Sequence, residues 1–494
     1  MTALTAIRKP ETAPDPAHGP AHELNGILHL LTCGSVDDGK STLIGRLLWD
    51  ASDLYDDQRE TLKRSGRTAG GSAHPDFSLL VDGLVAEREQ GITIDIAWRY
   101  FDTDKRRFVI IDSPGHEQYT RNMASGASHA DVAIMLVDAR HGVKRQTRRH
   151  AAILDIVGVK RVILAVNKMD LVDWSHERFR AIEADFRELT LRFGFRDAIA
   201  IPVSAVNGDN VARRSDVMPW YSGPYLLEHL ERLPARDTTP VGPFRLPVQF
   251  VLRDGLDFRG LAGTVSSGRV CVGDRVTDAL SGKSAHILRI ATMGRDLEIA
   301  SQGQAVALQL DTDIDVARGA VLSVPDSQPT VATHIEARLV WLWETPFDPR
   351  AGYLLRTATD LAPISSVKIR SLLDLETLAA QPAEKASVND IAIAGITLGR
   401  PVAIDPFSAN PATGTFLIVD ATTGASVAGG VILSATNGGT AEAHSAFRLT
   451  REMLEKGICR DLGSGEADRH EFQRRANEAA LLLRAAGVAV KLEV

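Results

Sequence analysis

The sequence predicts an α/β P-loop domain, then two antiparallel β-barrel domains, then a short helical C-terminal appendage. Three observations predict it. Apolar runs of strand length alternate with helix-length segments through the first part of the chain, the pattern of a parallel sheet covered on both faces. The first of these runs leads directly into a glycine loop and a helix. Beyond Pro240 the texture changes to short valine-rich segments separated by glycine turns, which marks antiparallel barrels.

Composition sets the frame. The chain has 494 residues, enough for about three domains. Apolar residues make up 44% and charged residues 24%, which excludes a wholly disordered chain, a collagen-like fibre and a small disulfide scaffold. Aromatics are only 5%, so the cores must be mostly aliphatic. The net charge of -7 favours solubility and gives no global push toward nucleic acid. Cys33, Cys271 and Cys459 are far apart and form no CxxC. They point to a reducing compartment, taken as the cytoplasm, and to no zinc site built on cysteine pairs. No apolar run reaches the roughly 18 residues of a membrane span. Residues 1–24 carry Pro10, Pro14, Pro16 and Pro20 among alanines. They lack the apolar core of a secretion signal and are expected to be a disordered tail.

The elements follow in order. Residues 28–33 read as a strand and 34–41 as a glycine loop, and Leu43, Ile44, Leu47 and Leu48 have helical spacing. Further apolar runs at 108–111, 132–137, 161–166 and 198–203 end at Asp112, Asp138, Asn167 and Ser204. The chemically distinctive residues therefore fall just after strand ends, where open α/β sheets bind ligands. This domain is assigned to residues 25–238. Pro234, Pro240, Pro243 and Pro247 mark a linker. The first barrel, 239–328, rests on Gly263-Thr-Val265, Gly268-Arg-Val270 and Gly273-Asp-Arg-Val276. The second, 329–436, rests on the alternation from His334 to Leu339. Asn437-Gly-Gly439 breaks the chain, and 437–494 reads as helical from the spacing of Ala479, Leu482, Leu483 and Ala486.

Four short motifs sit on those strand ends. Gly34, Ser35, Val36, Asp37, Asp38, Gly39, Lys40 and Ser41, with Thr42 following, fit GxxxxGK[ST]. Such a loop turns its backbone N–H groups toward phosphate oxygens at the positive end of a helix. Lys40 would neutralise the β- and γ-phosphates, and the Ser41 hydroxyl would be a Mg²⁺ ligand. Asp112, Ser113, Pro114 and Gly115 form DxxG. In it the Asp holds Mg²⁺ through water and the Gly offers its N–H to the γ-phosphate. Asn167, Lys168, Met169 and Asp170 form NKxD. The Asp170 carboxylate would accept from guanine N1–H and the 2-amino group, a donor pair that adenine lacks. Ser204 and Ala205 supply a small turn that would support guanine O6. By itself, Asp112–Gly115 reads at least as well as a plain Asp-Ser-Pro-Gly turn. An ordinary glycine turn, by contrast, does not explain why lysine and a hydroxyl follow Gly39 together, and a charged turn at Asn167–Asp170 is a weak reading once the order is considered. Their order on successive strand ends is specific. Ser281-Gly-Lys-Ser284 is a useful contrast. Thr277 stands where the first glycine belongs and the surroundings are barrel strands, so it reads as a hairpin turn.

This ordered series resembles the translation-factor class of GTPases. The resemblance implies that Thr93, in Glu87-Arg-Glu-Gln-Gly-Ile-Thr93, closes on Mg²⁺ and the γ-phosphate. It also implies that His116 is the catalytic residue, orienting the attacking water. Residues 50–92, with Ser65-Gly-Arg-Thr-Ala-Gly-Gly-Ser72, are expected to be mobile and to order only with GTP.

Within that class, Asp38 and Ser41 stand where elongation factors usually carry His and Thr. With Thr42-Leu-Ile-Gly-Arg46 and Gly115-His-Glu-Gln-Tyr-Thr-Arg-Asn-Met123, the chain is similar to the large GTP-binding subunit of heteromeric ATP sulfurylase, sulfate adenylyltransferase subunit 1. The likeness continues through Arg259-Gly-Leu-Ala-Gly-Thr-Val265, Gly303-Gln-Ala-Val306 and Asp313-Ile-Asp-Val-Ala-Arg-Gly319. It covers residues 25–435, and so includes both barrels. It implies a GTPase domain using GTP and Mg²⁺, and a smaller catalytic ATP sulfurylase subunit as partner. That partner would convert ATP and sulfate to adenosine 5′-phosphosulfate and diphosphate, the nucleotidyltransferase step that opens sulfate assimilation toward cysteine. Neither nucleic acid nor membrane is expected as a partner. The alternative is a translation-factor-like GTPase delivering aminoacyl-tRNA, which the acidic balance does not favour; a free-standing regulatory GTPase is a third.

Arg460-Asp-Leu-Gly463, Asp468-Arg469, Arg474-Arg475, Glu478 and Ala486-Gly-Val488 are similar to a piece of adenylylsulfate kinase. No GK[ST] lies between Ile432 and Phe447, so no kinase activity is expected. The plainer reading is a helical tail with a solvated charged face.

Overall fold

The computed structural model describes residues 26–51, 77–81, 93, 95–234, 242–254, 258–437, 447–463, 465–485 and 490–493. The expected tail at 1–24 lies outside them, as does most of the 50–92 segment. The chain divides into two compact units. One is Met1–Thr238 with Leu373–Ala380, the other Thr239–Leu372 with Gln381–Val494.

The first unit is built on a six-stranded sheet. Its elements are β1 (Ile27–Gly34), α1 (Lys40–Ala51), β2 (Ala97–Asp102), β3 (Arg107–Asp112), α2 (Thr120–Ala127), β4 (Val132–Asp138), α3 (Arg145–Val157), β5 (Arg161–Asn167), α4 (His176–Leu191), β6 (Asp197–Pro202) and α5 (Leu226–Arg232). The strand order is β2-β3-β1-β4-β5-β6. β1 runs parallel to β3 and β4, and β5 parallel to β4 and β6. All five apolar runs are strands of this sheet.

The sequence did not reveal β2, which pairs antiparallel with β3 at the edge. Parallel strands are buried on both faces and read as apolar runs. β2 exposes Trp98 and Tyr100 and buries only Phe101, so it leaves no such run.

Leu28, Leu30, Ile110, Ile134, Leu136 and Ile163 line one face of the sheet. They pack against Leu43, Ile44 and Leu47 of α1 and Leu226 and Leu230 of α5. Each such side chain contributes about 2 kcal/mol by leaving water. This packing holds α1, and with it the glycine loop, over the end of β1.

The second unit contains both barrels. In the first, the strands run in the order Arg245–Pro247, Val321–Ser323, Arg275–Asp278, Ser284–Thr292, Ala305–Leu310, Phe258–Thr264, Phe250–Asp254. Its core is aliphatic, with Leu246, Val276, Ile287, Ile290 and Leu308. Ser281-Gly-Lys-Ser284 is indeed a hairpin turn. Gly282 sits at φ +70, and the Asp278 carboxylate accepts from the Ser281 N–H and hydroxyl.

The second barrel includes Thr330–Trp341, in which Ile335, Ala337 and Leu339 face inward and alternate with polar residues. Tyr353–Arg356 pairs with both Thr415–Asp420 and Leu361–Leu373, which closes the ring. A buried ion pair joins the two barrels. Arg245 places Nε and Nη2 on the two oxygens of Asp405, each at 3.1 Å, and the Thr413 hydroxyl donates to Asp405 at 2.7 Å.

The appendage contains more than helix. Phe447–Thr450 pairs in parallel with Val490–Glu493, across helices Arg451–Lys456 and Glu466–Ala485. Four-residue strands are too short for periodicity to show them. A small core of Leu449, Leu454, Cys459, Phe472 and Ala476 holds this unit.

Candidate nucleotide site

The strand ends converge on one site, in the first unit. β1 delivers Gly34, and α1 begins at Lys40. Between them Asp37 and Gly39 take φ of +66 and +90, which curls the loop on itself. The Asp38 carboxylate accepts the Ser35 N–H at 2.7 Å. Lys40 is buried, and its Nζ donates to the carbonyls of Gly34 at 3.1 Å and Ser35 at 3.0 Å. Burial pushes its pKa down, although Asp112 and Asp38 pull it back up. An incoming phosphate would stabilise the charged form. The Ser35 hydroxyl is buried with no partner among the described residues.

The DxxG loop meets this cradle. Asp112 is buried at the end of β3, and its carboxylate accepts the Thr32 hydroxyl at 3.0 Å. The Ser113 hydroxyl donates to the Thr32 carbonyl at 2.7 Å. At Gly115 a Cβ would fall 2.3 Å from Lys40 Nζ and 2.7 Å from the Gly34 carbonyl. Only glycine permits that approach.

The NKxD loop is fastened to the same cradle. Asn167 donates to the Asp38 carbonyl at 2.9 Å and accepts the Ala205 N–H at 3.0 Å. Lys168, at φ +62, donates to the Asp37 carbonyl. Met169 is buried. The Ser204 hydroxyl donates to Asp170 at 2.7 Å. A carboxylate offers about four acceptor sites, so Asp170 can still take two N–H groups of a base.

His116 is exposed, just past Gly115, and opens the short 3-10 turn Glu117–Tyr119. Its Nδ1 accepts the Gln118 N–H at 3.3 Å. That leaves Nε2 as the ring nitrogen free to donate. Thr93 is buried, but no described hydrogen bond joins it to Ser41 or Asp112.

Three polar groups beside the site were not singled out from sequence. Burial works against ionising Asp138, yet hydrogen bonds from Arg140 and Lys168 outweigh it and hold the carboxyl well below the usual range. Lys168 Nζ lies 3.0 Å from it. Lys144 Nζ stands 3.6 Å from Asp38. His150 is fully buried, and burial, with the charges of Lys40 and Arg149, pulls its pKa to about 3. The only sequence signal for Asp138 was its place at a strand end; Lys144 and His150 belong to no motif.

The donors suit Mg²⁺. The Ser41 and Thr93 hydroxyls and the Asp112 carboxylate are hard oxygen donors of the kind Mg²⁺ takes, and substrate phosphates would complete its shell.

A GxxxxGK[ST] loop curled at the β1–α1 turn, with an NKxD loop fastened to it, is the arrangement of a P-loop GTPase. Residues 25–251 match the family model of the elongation factor Tu GTP binding domain, and 334–433 match that of the GTP-eEF1A C-terminal domain-like family. The chain is 46% identical to sulfate adenylyltransferase subunit 1 of Methylorubrum populi, over 87% of this chain and 92% of the relative. With the subunit 1 of Alteromonas mediterranea the identity is 45%, over 83% and 88%. With bifunctional enzyme NodQ of Rhizobium sp. (strain N33) it is 43%, over 95% and 80%. The chain belongs to the sulfate adenylyltransferase subunit 1 family of translation-factor-class GTPases. Among the described residues no helix is long and apolar enough to cross a membrane.

Proposed function

We propose that this chain binds and hydrolyses GTP to drive sulfate activation on a separate, smaller catalytic subunit in the cytoplasm. The observation that carries the GTP-binding half of this reading is the bond from Asn167 to the Asp38 carbonyl, which makes base recognition and phosphate binding one rigid piece. The transfer half is supported by the subunit 1 relatives. The translation-factor alternative is less supported, because the relatives at 43–46% identity carry sulfate adenylyltransferase or NodQ names.

In this reading Lys40 and the loop N–H groups hold the phosphates, and Asp170 and Ala205 select guanine. Ser41, Thr93 and, through water, Asp112 would hold Mg²⁺, which neutralises charge on the transferring phosphoryl group. His116, whose Nδ1 is engaged by the Gln118 N–H, would turn Nε2 toward the attacking water and orient it. A phosphate–sulfate anhydride is less stable than the ATP linkage broken to make it, so its formation must be driven. GTP can drive it only if the partner binds the two nucleotide states with different affinity.

The appendage reads as a remnant of the second activity of the bifunctional relatives. Their match covers 94–96% of this chain, against 83–87% for the subunit 1 relatives. It has no phosphate loop of its own, so no phosphorylation of adenylylsulfate is expected. The deciding experiment is sulfate-dependent diphosphate release by the chain co-purified with its smaller subunit, with and without GTP. A yield of adenylylsulfate indifferent to GTP would end the coupling claim.

A further inference from the structure

The turn that carries His116 is gripped from α3. A carboxylate oxygen of Glu117 pairs with Nη1 of Arg149, whose side chain is 6% exposed while that of Glu117 is 54% exposed. The same Arg149 nitrogen donates to Gln146 Oε1 at 2.9 Å, and Gln146 Nε2 lies 3.0 Å from His150 Nε2. Gln146, Arg149 and His150 are spaced i, i+3, i+4, so they share one buried face of α3.

A guanidinium in such a place is costly unless paired, and an apolar side chain of similar size would pack the seam more cheaply. The Glu117 carbonyl is also held by the Thr120 hydroxyl at 2.6 Å. Gripping the Glu117 side chain therefore fixes the backbone of the turn, and His116 is the adjoining residue.

We infer that Arg149 is a positioning residue for GTP hydrolysis: by holding Glu117 it sets the direction in which the His116 imidazole points. This rests on the GTPase reading above. Arg149 touches no reacting atom and acts through the turn. It reaches Glu117 through Nη1 alone, the nitrogen that Gln146 also engages, so Gln146 aims that nitrogen at the carboxylate.

The test uses the full chain with its partner subunit. Single-turnover GTP hydrolysis and the Kd of a fluorescent GTP analogue are measured for Glu117→Gln, Arg149→Lys, Arg149→Met and the Glu117→Gln/Arg149→Met double variant. Loss of alignment predicts a hydrolysis rate about 10- to 100-fold lower, with Kd changed less than about twofold. Arg149→Lys should recover part of the loss, because it keeps charge without the fork. The double variant should be no slower than the worse single one. Glu117→Gln acts from the solvent side, so it keeps the test alive if Arg149→Met does not fold. Near-wild-type rates in Glu117→Gln, losses of rate and affinity in parallel, or additive losses in the double variant would each overturn the inference. A wild-type chain that neither binds nor hydrolyses GTP would instead sink the function it rests on.

Discussion

The side-chain amide of Asn167 bridges two loops: it donates to the Asp38 carbonyl at 2.9 Å and accepts the Ala205 N–H at 3.0 Å. Neither bond touches the ligand. Asn167→Ala removes both and leaves two buried backbone groups unsatisfied, at about 1–3 kcal/mol each. GTP and GDP affinity should fall together by at least tenfold, read by calorimetry. A variant that lost GTP but kept GDP would place Asn167 near the γ-phosphate instead.

Asp170→Asn replaces one acceptor oxygen with a donor. The Ser204 hydroxyl can still donate to the remaining oxygen, so the loop should keep its shape. Preference should shift from guanine toward xanthine, seen by competing xanthosine and guanosine triphosphates for the site. Retained GTP preference would contradict the assignment of the base-reading carboxylate.

His116→Ala should spare nucleotide binding and slow hydrolysis by about 10²-fold or more. Lys40→Ala should abolish binding itself, because in the proposed reading the buried ammonium is the charge that would meet the phosphates. Nucleotide titration followed by single-turnover assay separates the two outcomes.

His150 makes folding depend on pH. Its pKa falls from 6.5 when unfolded to about 3 in the fold. The unfolded chain therefore takes up a proton that the folded one refuses. Stability from this residue is full above pH 6.5 and is lost as pH falls toward 3. At pH 5 the loss is about 2 kcal/mol. Urea unfolding of His150→Gln at pH 7.5 and pH 5 should show a smaller difference than wild type by that amount. Equal differences would mean that the proton is taken up elsewhere.

Asp405→Ala leaves the Arg245 guanidinium buried without its partner. The expected loss is about 3–5 kcal/mol, visible as an earlier urea midpoint for the barrel unit. Arg245→Met together with Asp405→Leu should restore much of it, since both charges are then gone.

The motifs that make up the candidate site were legible because each is local. Gly34 to Ser41, Asp112 to Gly115 and Asn167 to Asp170 each form a short motif after an apolar run, and the parallel sheet brings the strand ends together. What was hidden is non-local. Arg149 and His150 carry no motif in the sequence, and only the fold shows both buried and Arg149 paired with Glu117. Asp138 ends a strand as Asp112 does, but its tie to Lys168 crosses between loops. β2 and the two appendage strands were missed for want of apolar runs long enough to register.

Thr32 holds both Asp112 and Ser113, one through its hydroxyl and one through its carbonyl. The segment leading to His116 is thus immobilised at its root by a neighbouring strand. Any swing that follows loss of the terminal phosphate must pivot at Pro114 and Gly115, downstream of that clamp. If His116 orients the attacking water and Asp112 lies beside Mg²⁺ as proposed, the ring can travel while the carboxylate stays where it is, so release of product need not dismantle the pocket that receives the next molecule.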